Sequence, residues 1–423
     1  MTGMTGRKAP LAVISVTLAI AYGIWYGYSV ILVALLAEFG WSRSLLAGAF
    51  SVFTLVHGAW NPVVGMLCAR FRPLHVSAVG GAAMGIALFA NSSISSPLGL
   101  YLLFGATTAV AISTAGWIPA LVYVQRNYQD RLGLSIGIVS SGVGVGMMLV
   151  VPLAQLLIDA FGWRTTFQVL GVISVAWIVP ANVWLMRRPL VENRGQSPIS
   201  IQGQVHNTGK RENSAPDPEF RPVLTLREAA RTQAFWLILA AFLFGNLCSQ
   251  TLHVHQVAYL VDHGLAAIVG ATVVGVVGAA SIVGKTFGGW LSDRIEREFV
   301  YVGGIAILIL SALALLALGG AAGSATSAVG AYGYAVLLGV GYSVTATITP
   351  AMLSDRFGGP HFGAIVGAGL FCAAVGSAIG PWVAGRVYDA TGSYTVPFLV
   401  AAGCGVIAGA TGWRARMLRR RAA

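Results

Sequence analysis

The sequence predicts an all-α polytopic membrane protein: twelve transmembrane helices arranged as two pseudo-symmetric halves of six. Three observations predict it. Of 423 residues, 56% are hydrophobic and only 9% charged, where soluble domains carry about a quarter charged. Apolar stretches of about 20 residues, long enough to cross a bilayer, recur along the chain. The second half also repeats the first. A shift of 230 residues puts Gly133 on Gly363, Gly137 on Gly367, Gly146 on Gly376, Asp159 on Asp389 and Gly162 on Gly392. A shift of 224 puts GMLCARF at 65–71 on GWLSDRI at 289–295.

The spans read 11–37, 44–68, 75–93, 97–124, 133–158 and 166–186 in the first half. The second half reads 234–260, 265–291, 299–319, 327–351, 362–386 and 396–413. The 54 glycines favour helices packed closely in lipid over a barrel. Residues 1–187 and 234–423 form the expected bundles. Between them, 188–233 is rich in Pro, Gly, Ser and Asn and reads as a disordered cytoplasmic linker ending in TLREAARTQ. The run after Arg7 and Lys8 is too long for a cleavable signal. Cys68, Cys248, Cys372 and Cys404 lie within or at the ends of spans, as apolar fillers rather than disulfides or metal ligands.

Orientation follows from charge. With the N-terminus inside, 22 of the 26 basic residues fall on cytoplasmic segments and only Arg43, Arg164 and Arg386 outside. Basic residues accumulate on the cytoplasmic side, so both termini are expected there, in a cell (inner) membrane. The net charge of +12 is thereby explained. It is spread over short loops without an aromatic platform, which argues against nucleic acid as a partner.

Polar residues inside the spans are the candidate functional groups, in chain order. Helix 1 carries Trp25, Tyr26 and Tyr28 near its middle. Helix 2 carries His57, on a face with Thr54, Asn61 and Gly65. Helix 4 has Trp117 and Tyr123; helix 7 has Asn246, Gln250 and His253 at helical spacing, with His255 nearby; helix 10 has Tyr342. Histidine titrates closest to physiological pH, which makes His57 and His253 the proton-carrying candidates. Lys285, on helix 8, is the one Lys or Arg within a span. It shares a small-residue face with Gly278, Ser281 and Gly288. Such faces pack against protein, and a charge there is usually functional. A snorkelling lysine whose stem lies along the apolar phase is the bland account.

The loop GWLSDRIER matches G-x-L-x-D-R-x-x-R at Gly289, Leu291, Asp293, Arg294 and Arg297. Its first-half copy keeps Gly65, Leu67 and Arg70 but has Ala69 in place of the aspartate. This resembles the loop signature of the major facilitator superfamily. YSVILVALLAEFGWSRS at 28–44, RLGLSIGIVSSGVGVG at 131–146, FGWRTTF at 161–167, TLREAARTQAFWLI at 225–238 and IGPWVAGRVYDATGSY at 379–394 resemble its monocarboxylate porter family and bacterial relatives, oxalate/formate exchangers included.

The resemblance implies a major facilitator fold and a basic helix 8 residue that pairs with the substrate carboxylate. Lys285 stands at that place, where the family usually has Arg. Tyr28 takes the place of a helix 1 lysine of animal members, and Ser281 that of their acidic helix 8 residue. The loop motif (Gly65, Arg70, Gly289, Asp293, Arg294) is expected to latch the cytoplasmic gate.

The expected function is alternating-access transport of a small organic monocarboxylate, lactate- or pyruvate-like, with proton symport. Lys285, Tyr28, Trp117, Tyr123, Asn246 and Tyr342 are the expected substrate contacts, and Lys285 joins His57 and His253 as a proton-coupling candidate. Helix 11 has no cation between His361 and Arg386, so a dianion would leave one charge uncompensated. An organic-anion exchanger or an exporter of another solute is the second expectation. A transporter-fold sensor is the third, and it lacks an evident signalling domain. No nucleotide loop, metal cluster or nucleophile arrangement occurs. The expectation is therefore no enzyme activity and no cofactor, with a monomer in the bilayer.

Overall fold

The computed structural model describes residues 2–128, 132–187, 225–319, 325–357 and 362–422. The first half holds α1 (Thr2–Phe39), α2 (Arg43–Arg70), α3 (Pro73–Asn91) and α4 (Pro97–Asn127). A helical stretch Leu132–Met186 follows, which Gly162 divides into α5 and α6. After a single turn at Leu226–Ala229 come α7 (Gln233–Asp262), α8 (Ala267–Ser292), α9 (Arg297–Gly319), α10 (Ala325–Phe357), α11 (Phe362–Thr391) and α12 (Thr395–Ala422). Among the described residues, eleven helices are long and apolar enough to span a bilayer. Counting the bent stretch as two gives twelve spans. No strand occurs among the described residues. This is what lipid requires: each backbone polar group must find its partner within the segment.

The division between α5 and α6 is sharper than the composition suggests. Both helices run up to Gly162, at φ 78° and ψ 163°, a backbone region that side-chain-bearing residues rarely enter. The other positive-φ glycines are Gly40, Gly264 and Gly392. Gly40 and Gly264 are related by the 224-residue shift, and Gly162 and Gly392 by the 230-residue shift. The repeat is therefore present in turn geometry as well as in sequence. Most of the expected linker, residues 188–224, lies outside the described residues. Its end is ordered by a capping box: Thr225 accepts from the Glu228 N–H while Glu228 accepts from the Thr225 N–H.

Between the halves, α5 packs on α8, α2 on α11 and α1 on α7. The SSGVGVG stretch explains how α5 serves two neighbours. A Cβ on Gly142 or Gly146 would lie 2.1 Å from the Ser15 or Ala19 carbonyl of α1, while one on Gly144 would lie 2.5 Å from the Gly278 carbonyl of α8. Past that contact, Gly137 and Gly289 face open space. The α2–α11 seam behaves alike. It is tight from Gly385, against Arg43 and Ser44, to Gly58, against Ala374; beyond it Gly65 and Gly367 face open space. Both seams therefore splay toward the face that carries the chain termini (the terminal face) and close toward the far face.

Gly144→Ala forces a Cβ into backbone and should cost roughly 1–3 kcal/mol through overpacking. At Gly303 nothing lies within 4 Å of where a methyl would stand, so Ala should be accepted there at no cost or with a gain of up to ~1 kcal/mol. Thermal unfolding of the two variants in detergent checks the seam; equal midpoints would refute it.

Candidate functional site

The far face is held shut by groups from both halves. The first turn of α2 offers backbone N–H groups with no partner inside the helix. Those of Arg43 and Ser44 both donate to the Asp389 carboxylate of α11, at 2.9 Å each, while Ser42 takes that of Leu45. The Arg43 guanidinium donates to Asp262 of α7 and to the Tyr394 hydroxyl, both at 2.7 Å. It also lies 4.1 Å above the Tyr388 ring. Deeper along the same seam the Ser51 hydroxyl donates to the Ala378 carbonyl. Among the described residues, no hydrogen bond or ion pair joins the halves at the terminal face.

A belt of aromatic and polar side chains crosses the molecule below this closure. The His57 ring of α2 sits 4.7 Å from that of Trp25 on α1, and Tyr26 is its neighbour at 6.3 Å. From Tyr26 the belt passes to His253 of α7 at 5.2 Å, then to Tyr342 of α10 at 4.8 Å. Lys285 Nζ of α8 ends it, 6.0 Å from the Tyr342 centroid. Ser281, one turn earlier, is fully buried beside Gly144 of α5. Lys285 thus stands one turn past the last close contact of the α5–α8 seam, where the two helices part. No carboxylate pairs with it among the described residues.

His253 is fixed in one neutral form. Its Nδ1 lies 2.8 Å from the Ser249 carbonyl, an acceptor only, so Nδ1 carries the hydrogen and Nε2 keeps a lone pair. That Nε2 is buried without a partner, as are Trp25 Nε1, His57 Nε2 and Gln250 Oε1. Buried polar atoms are rarely left unpartnered, and four on or beside one belt make it the candidate site.

Of the expected substrate contacts, the belt brings together Lys285 and Tyr342. Tyr28 is elsewhere: its ring stacks on Phe104 at 4.3 Å and its hydroxyl donates to the Leu46 carbonyl at 2.6 Å, so it packs α1 against α2 and α4. Tyr26 occupies the belt instead. Successive helix residues are about 100° apart, so Tyr26 and Tyr28 cannot share a face. Trp117 and Tyr123 belong to a separate cluster with Leu11, Ile14 and Leu185. Asn246 donates to the Phe242 carbonyl of its own helix at 2.9 Å.

The loop motif is tied to its own half. Arg297 pairs with Asp355 of α10, Glu298 with Arg356, and Glu296 with Arg416 of α12. Arg294 lies over the Trp290 ring at 3.8 Å. Asp293 caps α8 at the surface, and its carboxylate has no hydrogen-bond or ion-pair partner among the described residues; Arg70 is likewise exposed. Gly65 and Gly289 face open space. Among the described residues, the motif makes no hydrogen bond or ion pair between the halves.

Twelve membrane-length helices in two repeats, closed at one end around a central polar belt, define a multi-pass membrane transporter. The chain belongs to the Major Facilitator Superfamily, whose profile matches residues 14–381. It is 27% identical over 370 residues to Monocarboxylate transporter 12 of Homo sapiens, covering 80% of this chain and 68% of that protein. Monocarboxylate transporter 4 of Rattus norvegicus is 24% identical, with 94% and 82% covered. The uncharacterized MFS-type transporter YcxA of Bacillus subtilis (strain 168) is 21% identical, with 87% and 84% covered. Among solved structures, a bacterial homolog of the human lysosomal transporter Spinster, in an inward-facing and unoccupied conformation, superposes with a TM-score of 0.71 at 16% identity over 97% of this chain and 96% of that one. The nucleoside transporter NupG gives 0.73 at 11% identity, with 96% and 99% covered.

Asp389→Ala removes the acceptor for two α2 N–H groups. Losing a cap costs about 0.5–2 kcal/mol, so the far face should open several-fold more often. Reaction of a cysteine placed at Ser51 with a thiol reagent added from that face reads the change. An unaltered rate would show that Asp389 is not part of the closure.

Proposed function

We propose that the protein carries a small organic monocarboxylate across the membrane by alternating access, in symport with a proton. Both termini lie in the cytoplasm of a cell whose inner membrane holds the protein as a monomer. The observation that carries this reading is Lys285: a cation without a carboxylate partner among the described residues, beside an aromatic ring, where the helices begin to part. A charge in the membrane is costly and is usually retained for function. A carboxylate would neutralise it, with the Tyr342 and Tyr26 rings alongside for the organic part. The relatives named as monocarboxylate transporters support the same substrate class. A dianion would require a second belt cation, and among the described residues the belt has Lys285 alone; exchange of dianions is thus the weaker reading.

For the proton, His253 is the favoured carrier. Its Nε2 lone pair is free and it touches both tyrosines of the belt. His57 lies at the other end, beyond Trp25, and is the second candidate. With the far face shut, the Asp293 and Arg70 side chains have no ion-pair partner among the described residues. Their proposed latching role belongs to the state that opens outward.

Lys285→Gln keeps the length and removes the charge. Truncating one member of a desolvated charge pair costs about 2–5 kcal/mol, so affinity for lactate or pyruvate should fall at least some thirtyfold. Lys285→Arg should retain partial affinity without the lysine's geometry. Normal binding by a folded Gln form would end the carboxylate reading and favour a snorkelling lysine.

Coupling has its own measurement. Uptake into proteoliposomes should be driven by an inward pH gradient and collapse with a protonophore, and His253→Ala should lose the gradient dependence. Equal uptake with and without a gradient would indicate facilitated diffusion or exchange.

A further inference from the structure

His255 lies two residues from the belt's His253 but belongs to the far-face closure. It is fully buried. Its Nε2 is 2.8 Å from the Pro381 carbonyl of α11, which can only accept, so Nε2 carries the hydrogen. Its Nδ1 is 3.0 Å from the Tyr394 hydroxyl and must then accept. Tyr394 oxygen in turn accepts from Arg43 Nη1 at 2.7 Å. The hydrogen bonds therefore run in one direction, from Arg43 through Tyr394 and His255 to Pro381, and the link from Tyr394 to Nδ1 needs a neutral imidazole.

We propose that His255 is the proton-sensing residue of the far-face closure, and that its protonation releases the first turn of α2 from α11. A second proton, on Nδ1, would have to point at a phenol oxygen already receiving a bond from a guanidinium. Two cations would then converge on one neutral oxygen. The other titratable groups around the closure do not offset this. Asp389 is engaged by the Arg43 and Ser44 N–H groups. Asp262 is engaged by Arg43 and by the Tyr388 hydroxyl, the latter at 3.4 Å. At the C-cap of α7, two turns farther out, His263 bonds to the Tyr259 carbonyl at 2.8 Å, and the Tyr259 ring packs on Tyr394. Arg43 is the one cation of the cluster among the described residues, and it is the group that ties α2 to α7.

The sign of the effect follows from linkage. The closed form holds His255 without the extra proton, whereas opening exposes it to water and to an ordinary value of ~6.5. Below that value the open form binds more protons, so the open-to-closed ratio should rise about tenfold per pH unit; above it the ratio should be flat. Acid on the far side would thus favour presenting the belt to that side. The inference rests on alternating access but not on the substrate or on Lys285, so it is tested without any substrate.

Spin labels at Ala37→Cys and Val396→Cys, both exposed and on opposite halves, report the separation across the closure once the native cysteines are replaced by alanine. Between pH 8 and 5 the long-distance population should grow about tenfold per unit below pH ~6.5. In His255→Asn the amide oxygen can still accept from Tyr394 without titrating, so the closure should remain and the pH response vanish. His263→Asn should leave the response intact. A flat response in the parent protein, or an unchanged response in His255→Asn, would overturn the proposal. Should the Asn form fail to fold, Tyr394→Phe replaces it. Without the hydroxyl to accept, the neutral requirement on Nδ1 is gone and the response should weaken at least threefold; an undiminished response there would equally overturn it.

Discussion

Two backbone N–H groups at the start of α2 find their partner not in their own half but in Asp389 of the other. Ser42 caps the helix locally through the Leu45 N–H, and Asp389 takes two further first-turn donors, so part of the capping is also the clasp between repeats. Because that clasp is closed, the seams splay only toward the terminal face. The clasp is built from small terms. A cap contributes about 0.5–2 kcal/mol, an exposed ion pair about 0–1, and the cation over Tyr388 about 0.5–1. A reversible gate needs that scale, since two conformations must stay within a few kcal/mol of each other. Asp389 and Asp262 keep partial contact with water, which eases their release.

Below the clasp, geometry decides where a charge can stand. Along α8 the turns at Gly275 and Gly278 are pressed against α5, and Ser281 is sealed. Lys285 comes next, half-buried, at the first level where α5 and α8 have parted. One turn earlier it would be walled in by backbone; two turns later it would be at the surface with Asp293. The aromatic ring of Tyr342 lies beside it, and the Tyr342 hydroxyl donates to the Met147 sulfur of α5 at 4.0 Å. That side chain therefore reports on whether the two halves are together.

Spans, repeat and loop motif were legible because they express partition between lipid and water and a duplication, both of which are one-dimensional. The belt was legible only in part. Lys285, His57, His253 and Tyr342 are visible as polar residues in apolar runs. Which of Trp25, Tyr26 and Tyr28 joins them depends on the rotation of α1 against its neighbours. The resemblance favoured Tyr28 by its place in a family pattern; the 100° step between residues separates it from Tyr26, but no single sequence says which side faces α7. The family-like stretches mostly serve turns and closures. Glu38 of the first meets Trp163 and Arg164 of FGWRTTF, each at 2.5 Å. Asp389 and Tyr394 of the last meet Arg43.

The internal repeat sharpens the argument about charge. Gly144 and Ala374 are related by the 230-residue shift, and each marks the last close contact of its seam before the helices diverge. The two seams are thus built alike. The 224-residue shift that aligns Gly65 with Gly289 sets Asn61 of α2 against Lys285 of α8. At the level where one seam offers an ammonium, the other offers a neutral amide whose oxygen already accepts from Ser113 of α4 at 2.7 Å. A symmetric passage would have carried two cations and suited a dianion. This one has kept its backbone symmetry and placed its charge on one side only, which accords with the proposed single carboxylate, since a dianion would leave a second charge bare.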